Sequence, residues 1–162
     1  MSKMEKLLKI PYTVFNNNWD LLQQFLERKG NPRYELTGDV DLSYREDIID
    51  IGNLVRVYGY LTLQGTSIQS LGNLEYVGGY LDLNSTPIES LGNLEYVGGN
   101  LGLQDTPIQS LGNIEYVGGN LNLFRSSIQS LGNLQYVGRT IYLSDYHQIP
   151  KEQLTKFKID SW

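Results

Sequence analysis

A mainly β repeat solenoid is the fold class this sequence predicts, and three observations predict it. The stretch Ile68–Pro87, I-Q-S-L-G-N-L-E-Y-V-G-G-Y-L-D-L-N-S-T-P, returns after twenty residues at Ile88–Pro107 and again at Ile108–Ser127. A fixed period of this length means one supersecondary unit stacked on copies of itself. Within each copy two leucines alternate with polar residues, as Leu81 and Leu83 do with Tyr80, Asp82 and Asn84, which is strand periodicity. Beyond the strand, apolar residues come at every third position (Ile88, Leu91, Leu94, Val97), which suits an extended or 3₁₀-like return limb better than an α-helix. Twenty residues leave no room for a strand, two turns and a full helix, so one short strand per coil and a helix-poor back are expected.

The elements follow in order. Residues 1–37 read as an N-terminal arm and a capping helix. Leu7, Leu8 and Ile10 with the neighbouring lysines suggest a short amphipathic turn ended by Pro11, used as a packing arm. From Trp19 a helix is predicted, with Asn17 or Asn18 as N-cap, Asp20 in the first turn and Arg28-Lys29-Gly30 at its end. Trp19, Leu22, Phe25 and Leu26 share one face, fit to cover the open end of a stack. Residues 38–147 form the solenoid, with a strand near Val40 and repeats from Ile48, Ile68, Ile88, Ile108 and Ile128. Six parallel strands and almost no α-helix are expected there. Residues 148–162 form a small C-terminal cap: Pro150 opens a short helix, and Leu154, Phe157, Ile159 and Trp162 supply apolar cover.

Stacking sets like beside like. Leu81 meets Leu61 and Leu101 on strands about 4.8 Å apart. Thr66, Thr86, Thr106 and Ser126 are expected to form an inward hydroxyl ladder. Asn53, Asn73, Asn93, Asn113 and Asn133 are expected to form an amide ladder, since buried polar groups must be paired.

The pattern L-x-L-x-x-T-x-I-x-x-L-x-x-L-x-x-V resembles the leucine-rich repeat, with Thr where Asn usually stands. The form L-G-N-L-x-Y-V-G-G-Y-L-D-L is similar to short repeats of bacterial and phage proteins, and to the L domains of growth-factor receptors, which share N-L-x-x-I-x-G-Y-L. The stretch W-D-L-L-Q-Q-F-L-E-R-K-G-N-P is similar to the lead-in of those phage-type proteins. The resemblance covers residues 18–147. It implies binding rather than catalysis, and a small effector or inhibitor acting on a host protein.

Composition bounds the chemistry. A net charge of −5 and a pI near 4.8 argue against an electrostatic grip on nucleic acid or an anionic membrane. The chain has no cysteine, hence no disulfide framework and no thiolate metal site. No signal peptide is expected, because no long apolar run follows the first lysines. The expected location is the cytoplasm, that of the host if a phage encodes the chain.

No catalytic set is expected and no cofactor. The only histidine, His147, stands beside Ser144 and Asp145 at the worn end of the array, where a cap is the simpler role. Asp39 and Asp41 share one face of the first strand; without further ligands they make only a weak cation site, and a solvated strand edge is the expected role. Gly78-Gly79 lacks the lysine and helix of a phosphate loop.

The informative positions are those that vary while their neighbours repeat. On the strand face they include Tyr60, Tyr80, Asn100 and Asn120, then Asp82, Asn122 and Tyr142, then Phe124, with Arg125 just beyond. Aromatic residues, carboxamides and one arginine on a solvent face predict a partner-binding surface for another protein. A second candidate is the row of Glu75, Glu95 and Glu115 beside Tyr76, Tyr96 and Tyr116, which suits a basic partner or simply keeps the chain soluble. The expected function is a non-enzymatic protein-binding module, monomeric or weakly dimeric. A self-assembling structural repeat and a glycan-binding solenoid remain as alternatives.

Overall fold

The computed structural model describes residues 7–161. It is a mainly β parallel repeat solenoid with few helices. Strand β1 (Leu8–Pro11) leads into a 3₁₀ turn at Tyr12–Phe15 and the helix α1 (Trp19–Arg28). Strands β2 (Tyr34–Thr37) and β3 (Val40–Asp41) follow. Each coil then contributes two strands: β4 (Leu54–Val57) and β5 (Leu61–Thr62), β6 (Tyr76–Val77) and β7 (Leu81–Asp82), β8 (Tyr96–Val97) and β9 (Leu101–Gly102). The series continues with β10 (Tyr116–Val117), β11 (Leu121–Asn122), β12 (Tyr136–Val137) and β13 (Thr140–Leu143). It closes with α2 (Lys151–Leu154) and β14 (Lys158–Ser161).

The odd-numbered strands from β3 to β13, with β14 at the edge, form one parallel sheet in the order β14-β13-β11-β9-β7-β5-β3. This is the expected strand face, with its six strands between residues 38 and 147 and no α-helix among them. Register is strict: Leu81 pairs with Leu61 and Leu101, and Asp82 with Thr62 and Gly102.

The back corrects the expectation of one strand per coil. A second seven-stranded parallel sheet runs β1-β2-β4-β6-β8-β10-β12. Strands β6, β8, β10 and β12 are only two residues long, Tyr-Val in each repeat, and they are bonded to neighbouring coils. An every-third-residue spacing conceals so short a strand, because alternation needs more residues to appear. The sheet also reaches into the segment read as an arm: β1 pairs with β2, and β2 with β4. Leu8 and Ile10 therefore lie in a strand, not in an amphipathic turn.

Gly78-Gly79 joins the two sheets within one coil. A side chain on Gly78 would place its Cβ 2.2 Å from the Tyr58 carbonyl oxygen of the coil before, so only hydrogen fits where the stacked corners touch. The leucines and valines of both sheets, with Ile68, Leu71 and their repeats, point inward and form one continuous core. Every member of the series Leu61, Leu63, Leu81, Leu83, Leu101, Leu103, Leu121 and Leu123 is buried.

Two expected ladders are corrected. Thr66, Thr86 and Thr106 are buried, but each Oγ1 donates to the carbonyl three residues back in its own coil (Leu63, Leu83, Leu103) at 2.7 Å, and Ser126 does the same to Leu123. The tight turn after each strand brings that carbonyl nearer than any group of the next coil. Of the asparagines, Asn73 Nδ2 donates to Asn53 Oδ1 at 3.2 Å, while Asn113 Nδ2 donates to the Gly92 carbonyl. Asn93, Asn113 and Asn133 are exposed, so water serves them and no continuous amide ladder is required.

The N-terminal cap holds as expected. Asn18 Oδ1 accepts from the Leu21 amide at 3.1 Å, which makes Asn18 the N-cap. Trp19, Leu22 and Leu26 are buried against the first coil, with Phe25 packed beside them. Arg45 bonds Asp20 at 2.9 Å and so ties the helix to the turn after β3. At the other end Pro150 immediately precedes the one-turn α2, because its fixed φ suits entry to a helix. Leu154, Phe157 and Ile159 pack on the core; the segment also adds strand β14, paired in register with β13. Trp162 lies outside the described residues. Among those residues no helix is long and apolar enough to cross a membrane.

Candidate functional site

The candidate site lies on the strand face. Because successive coils are in register, position 80 of one coil stands beside position 60 and position 100 of its neighbours. Tyr60 and Tyr80 are parallel, with ring centroids 4.6 Å apart and an interplanar angle of 4°. Beyond Tyr80 the column continues with Asn100 and Asn120 rather than further rings. A groove of about 400 Å³ opens there, lined by Tyr80, Asp82, Asn84, Asn100, Asn120, Asn122 and Tyr142 among others. A second, of about 250 Å³, is lined by Gln104, Asn122, Phe124 and Tyr142. The two share Asn122 and Tyr142, so seven of the nine sequence-nominated residues border one connected surface.

Tyr60 and Arg125 stand at its margins. Tyr60 backs Tyr80 through the stack. Arg125 is held: its Nε lies 2.7 Å from Asp105 Oδ1 and its guanidinium 5.2 Å from the Phe124 ring centre. The ion pair raises the arginine's pKa and holds the Asp105 carboxyl below its usual value. Arg125, Asp105 and Ser85 share a positive φ of 52 to 57°, the place Gly65 fills one coil earlier at 68°. Variation at this position is therefore limited by backbone shape as well as by any ligand.

The carboxamides have structural duties that sequence reasoning missed. Asn100 Oδ1 accepts from the Asn120 amide at 2.8 Å, and Asn120 Oδ1 from the Thr140 amide at 3.1 Å. Asn84 Oδ1 accepts from the Gln104 amide at 2.8 Å and lies over Gly102, where a Cβ would stand 2.8 Å from that oxygen. Asn122 Oδ1 accepts from the Phe124 amide at 3.0 Å, while its Nδ2 donates to Gln104 Oε1. Each oxygen serves backbone, and the NH₂ groups of Asn100 and Asn120 are left as donors toward the groove. Two of these amides lean over a glycine of the next coil, Asn100 over Gly119 and Asn84 over Gly102.

Asp82 is half-buried, and its Oδ1 accepts from the Asn84 amide at 2.9 Å. Burial pushes its pKa up, against the smaller downward pull of that bond. The Tyr80 phenol is also raised, by desolvation first, then by Tyr60 and the carboxylates of Asp41, Asp82 and Asp39.

The opposite surface is the tyrosine row of the second sheet. Tyr76, Tyr96, Tyr116 and Tyr136 stack at 4.7 to 4.8 Å, and Tyr58 tilts against Tyr76 at 5.9 Å. A groove of about 390 Å³ runs between Arg56, Tyr58, Glu75, Tyr76, Glu95 and Tyr96. Glu75 is 3.7 Å from Arg33. Unlike the strand face, these residues repeat with the framework, and Glu115 and Tyr116 only continue the row.

The remaining sequence candidates serve the fold. Asp39 Oδ1 accepts from the Tyr60 amide, and Asp41 Oδ1 from the Ser43 amide and hydroxyl. Ser144 Oγ accepts from the Arg125 amide and His147 Nδ1 from the Ile149 amide, so the atoms a triad would use face backbone. Among the described residues no three His, Cys, Asp or Glu side chains gather as metal ligands. Set against models of protein families, curated proteins and solved structures, the chain matches none.

Proposed function

We propose that the chain is a non-catalytic binding module that engages another protein through the strand face. The observation that carries this reading is the connected surface from Tyr80 to Phe124, built from positions that vary on a framework that does not. Rigid aromatic rings next to adaptable amide donors are the composition of protein-binding patches, and stacked coils hold them without a cost in ordering. The resemblance to phage-borne repeats extends the reading to a small effector or inhibitor of a host protein in the cytoplasm; that extension rests on analogy. The chain acts as a monomer or weak dimer, with apolar residues covering each end of the array.

A photo-crosslinking residue at Gln104, with the same residue at Glu95 as control, tests the choice of face in a lysate of the source cell. Adducts from position 104 and none from position 95 are expected. The reverse pattern moves the site to the tyrosine row.

The same groove favours a second reading, glycan binding, because Asp82 and four carboxamides line it together with Tyr80 and Tyr142. Oligosaccharide-array binding that competes with the cross-link would select it.

A further inference from the structure

Asp82 does a job that needs no charge. Its Oδ1 closes the turn after β7 by accepting from the Asn84 amide. Two coils on, Asn122 closes the equivalent turn on the Phe124 amide with a neutral carboxamide at nearly the same distance, 3.0 Å. The turn requires an oxygen acceptor, and either side chain supplies it. A half-buried carboxylate is the costlier choice unless a cation meets it.

No described residue supplies such a cation. Among the described residues no lysine, arginine or histidine pairs with Asp82, and Arg125 on the same face is bound to Asp105. Desolvation accordingly holds the Asp82 pKa above its usual value.

Tyr80 adds the second element. One ring face is covered by Tyr60, and the column then passes to Asn100, so the other face borders the groove that Asp82 lines. A carboxylate next to an aromatic face matches a guanidinium, which forks against the one and stacks on the other. An ammonium would gain the charge pair without the planar stack. The net charge of −5 favours approach of a basic segment.

We infer that the groove beside Asp82 receives an arginine side chain presented by the partner protein, an inference that rests on the strand face being the protein-binding surface.

Short random peptides displayed on phage and selected on the purified chain provide the test. Enriched peptides are expected to share an arginine. Citrulline at that position, which keeps the shape and removes the charge, should weaken binding by about ten-fold or more. The same exchange should change binding to D82N by less than about two-fold, with a melting temperature for D82N at or above that of the unaltered chain. The citrulline arm uses the unaltered protein and does not depend on how the variant folds. Peptides that bind D82N as tightly, or that enrich without arginine, or that lose nothing when lysine replaces it, overturn the inference while the protein-binding reading stands. Enrichment of no peptide, with oligosaccharides bound instead, overturns both.

Discussion

Gly98 stands so close to Gly78 that a Cβ on Gly98 would lie 2.1 Å from the Gly78 carbonyl oxygen. Gly118 repeats the relation to Gly98, and Gly138 to Gly118, at 2.0 Å. The obstacle is backbone locked in register on both sides, so it cannot swing aside. Gly98→Ala should therefore cost about 3 kcal/mol or more, at the upper end of overpacking. Gly112→Ala is the control: it has open space around it and a φ of +58°, and should cost only about 1–2 kcal/mol. Urea denaturation of both variants checks the difference, and equal losses would mean that the corner is not the constraint.

Leu83 and Leu103 lie in the core, whereas Gln104 lines the groove. Leu83→Ala or Leu103→Ala should cost about 2–5 kcal/mol. Gln104→Ala should cost less than about 1 kcal/mol, since it loses only partly solvated side-chain bonds. Comparable losses at both kinds of position would place the inward set one residue off.

Ser85 is exposed and holds a φ of +57° where Gly65 performs the same turn. Ser85→Gly should raise stability by about 0.5–1 kcal/mol, the left-handed penalty of an L-residue less the entropy cost of glycine. Thermal melts decide it. A loss would show that the Ser85 side chain contributes to the turn.

Two carboxylates give pH dependences of opposite sign. The folded-state pKa of Asp82 is raised by burial, so the native state holds this proton more tightly. Its contribution to stability is present at acid pH and is lost as pH rises from about 3.9, the unfolded value, through the folded pKa. Asp105 is lowered by Arg125; its contribution is present above the unfolded value and lost as pH falls through the folded pKa. Asp82→Asn should flatten the first slope, and Arg125→Gln the second. Denaturation midpoints across the acid range measure both.

Once a partner is in hand, Tyr80→Ala and Phe124→Ala should each weaken binding by more than about 1 kcal/mol, because interface energy concentrates in buried aromatic anchors. Tyr96→Ala and Glu95→Lys should leave affinity nearly unchanged. Calorimetric titration separates the faces: silence in the first pair and loss in the second would assign binding to the tyrosine row.

Periodicity made much of this legible. The alternation of Leu81 and Leu83 located the strand face and its inward side, and Trp19, Leu22, Leu26 and Asn18 announced the cap. The second sheet was hidden because Tyr76-Val77 becomes a strand through its neighbours in adjacent coils, not through a pattern of its own. Strand β14 was hidden likewise, since Lys158–Ser161 gains its identity by pairing with β13. At the site, the sequence marked the variable positions, but not that Asn100, Asn120 and Asn122 also serve backbone. That distinction depends on which atom of a carboxamide faces which amide, and spacing carries no such information.

The two ends of the array differ, and this gives the molecule a direction of unravelling. Helix α1 buries Trp19, Leu22 and Leu26, while the single turn α2 buries no side chain fully, and Val137 is less covered than Val77, Val97 and Val117. In a stack whose coils touch only their neighbours, opening proceeds one coil at a time from the weaker end. Amide hydrogens should exchange in a gradient, fastest beyond residue 136 and slowest near the helix. Phe124 and Tyr142 lie toward the loose end, so a partner seated on them works as a clasp: it would slow the unzipping as well as occupy the groove.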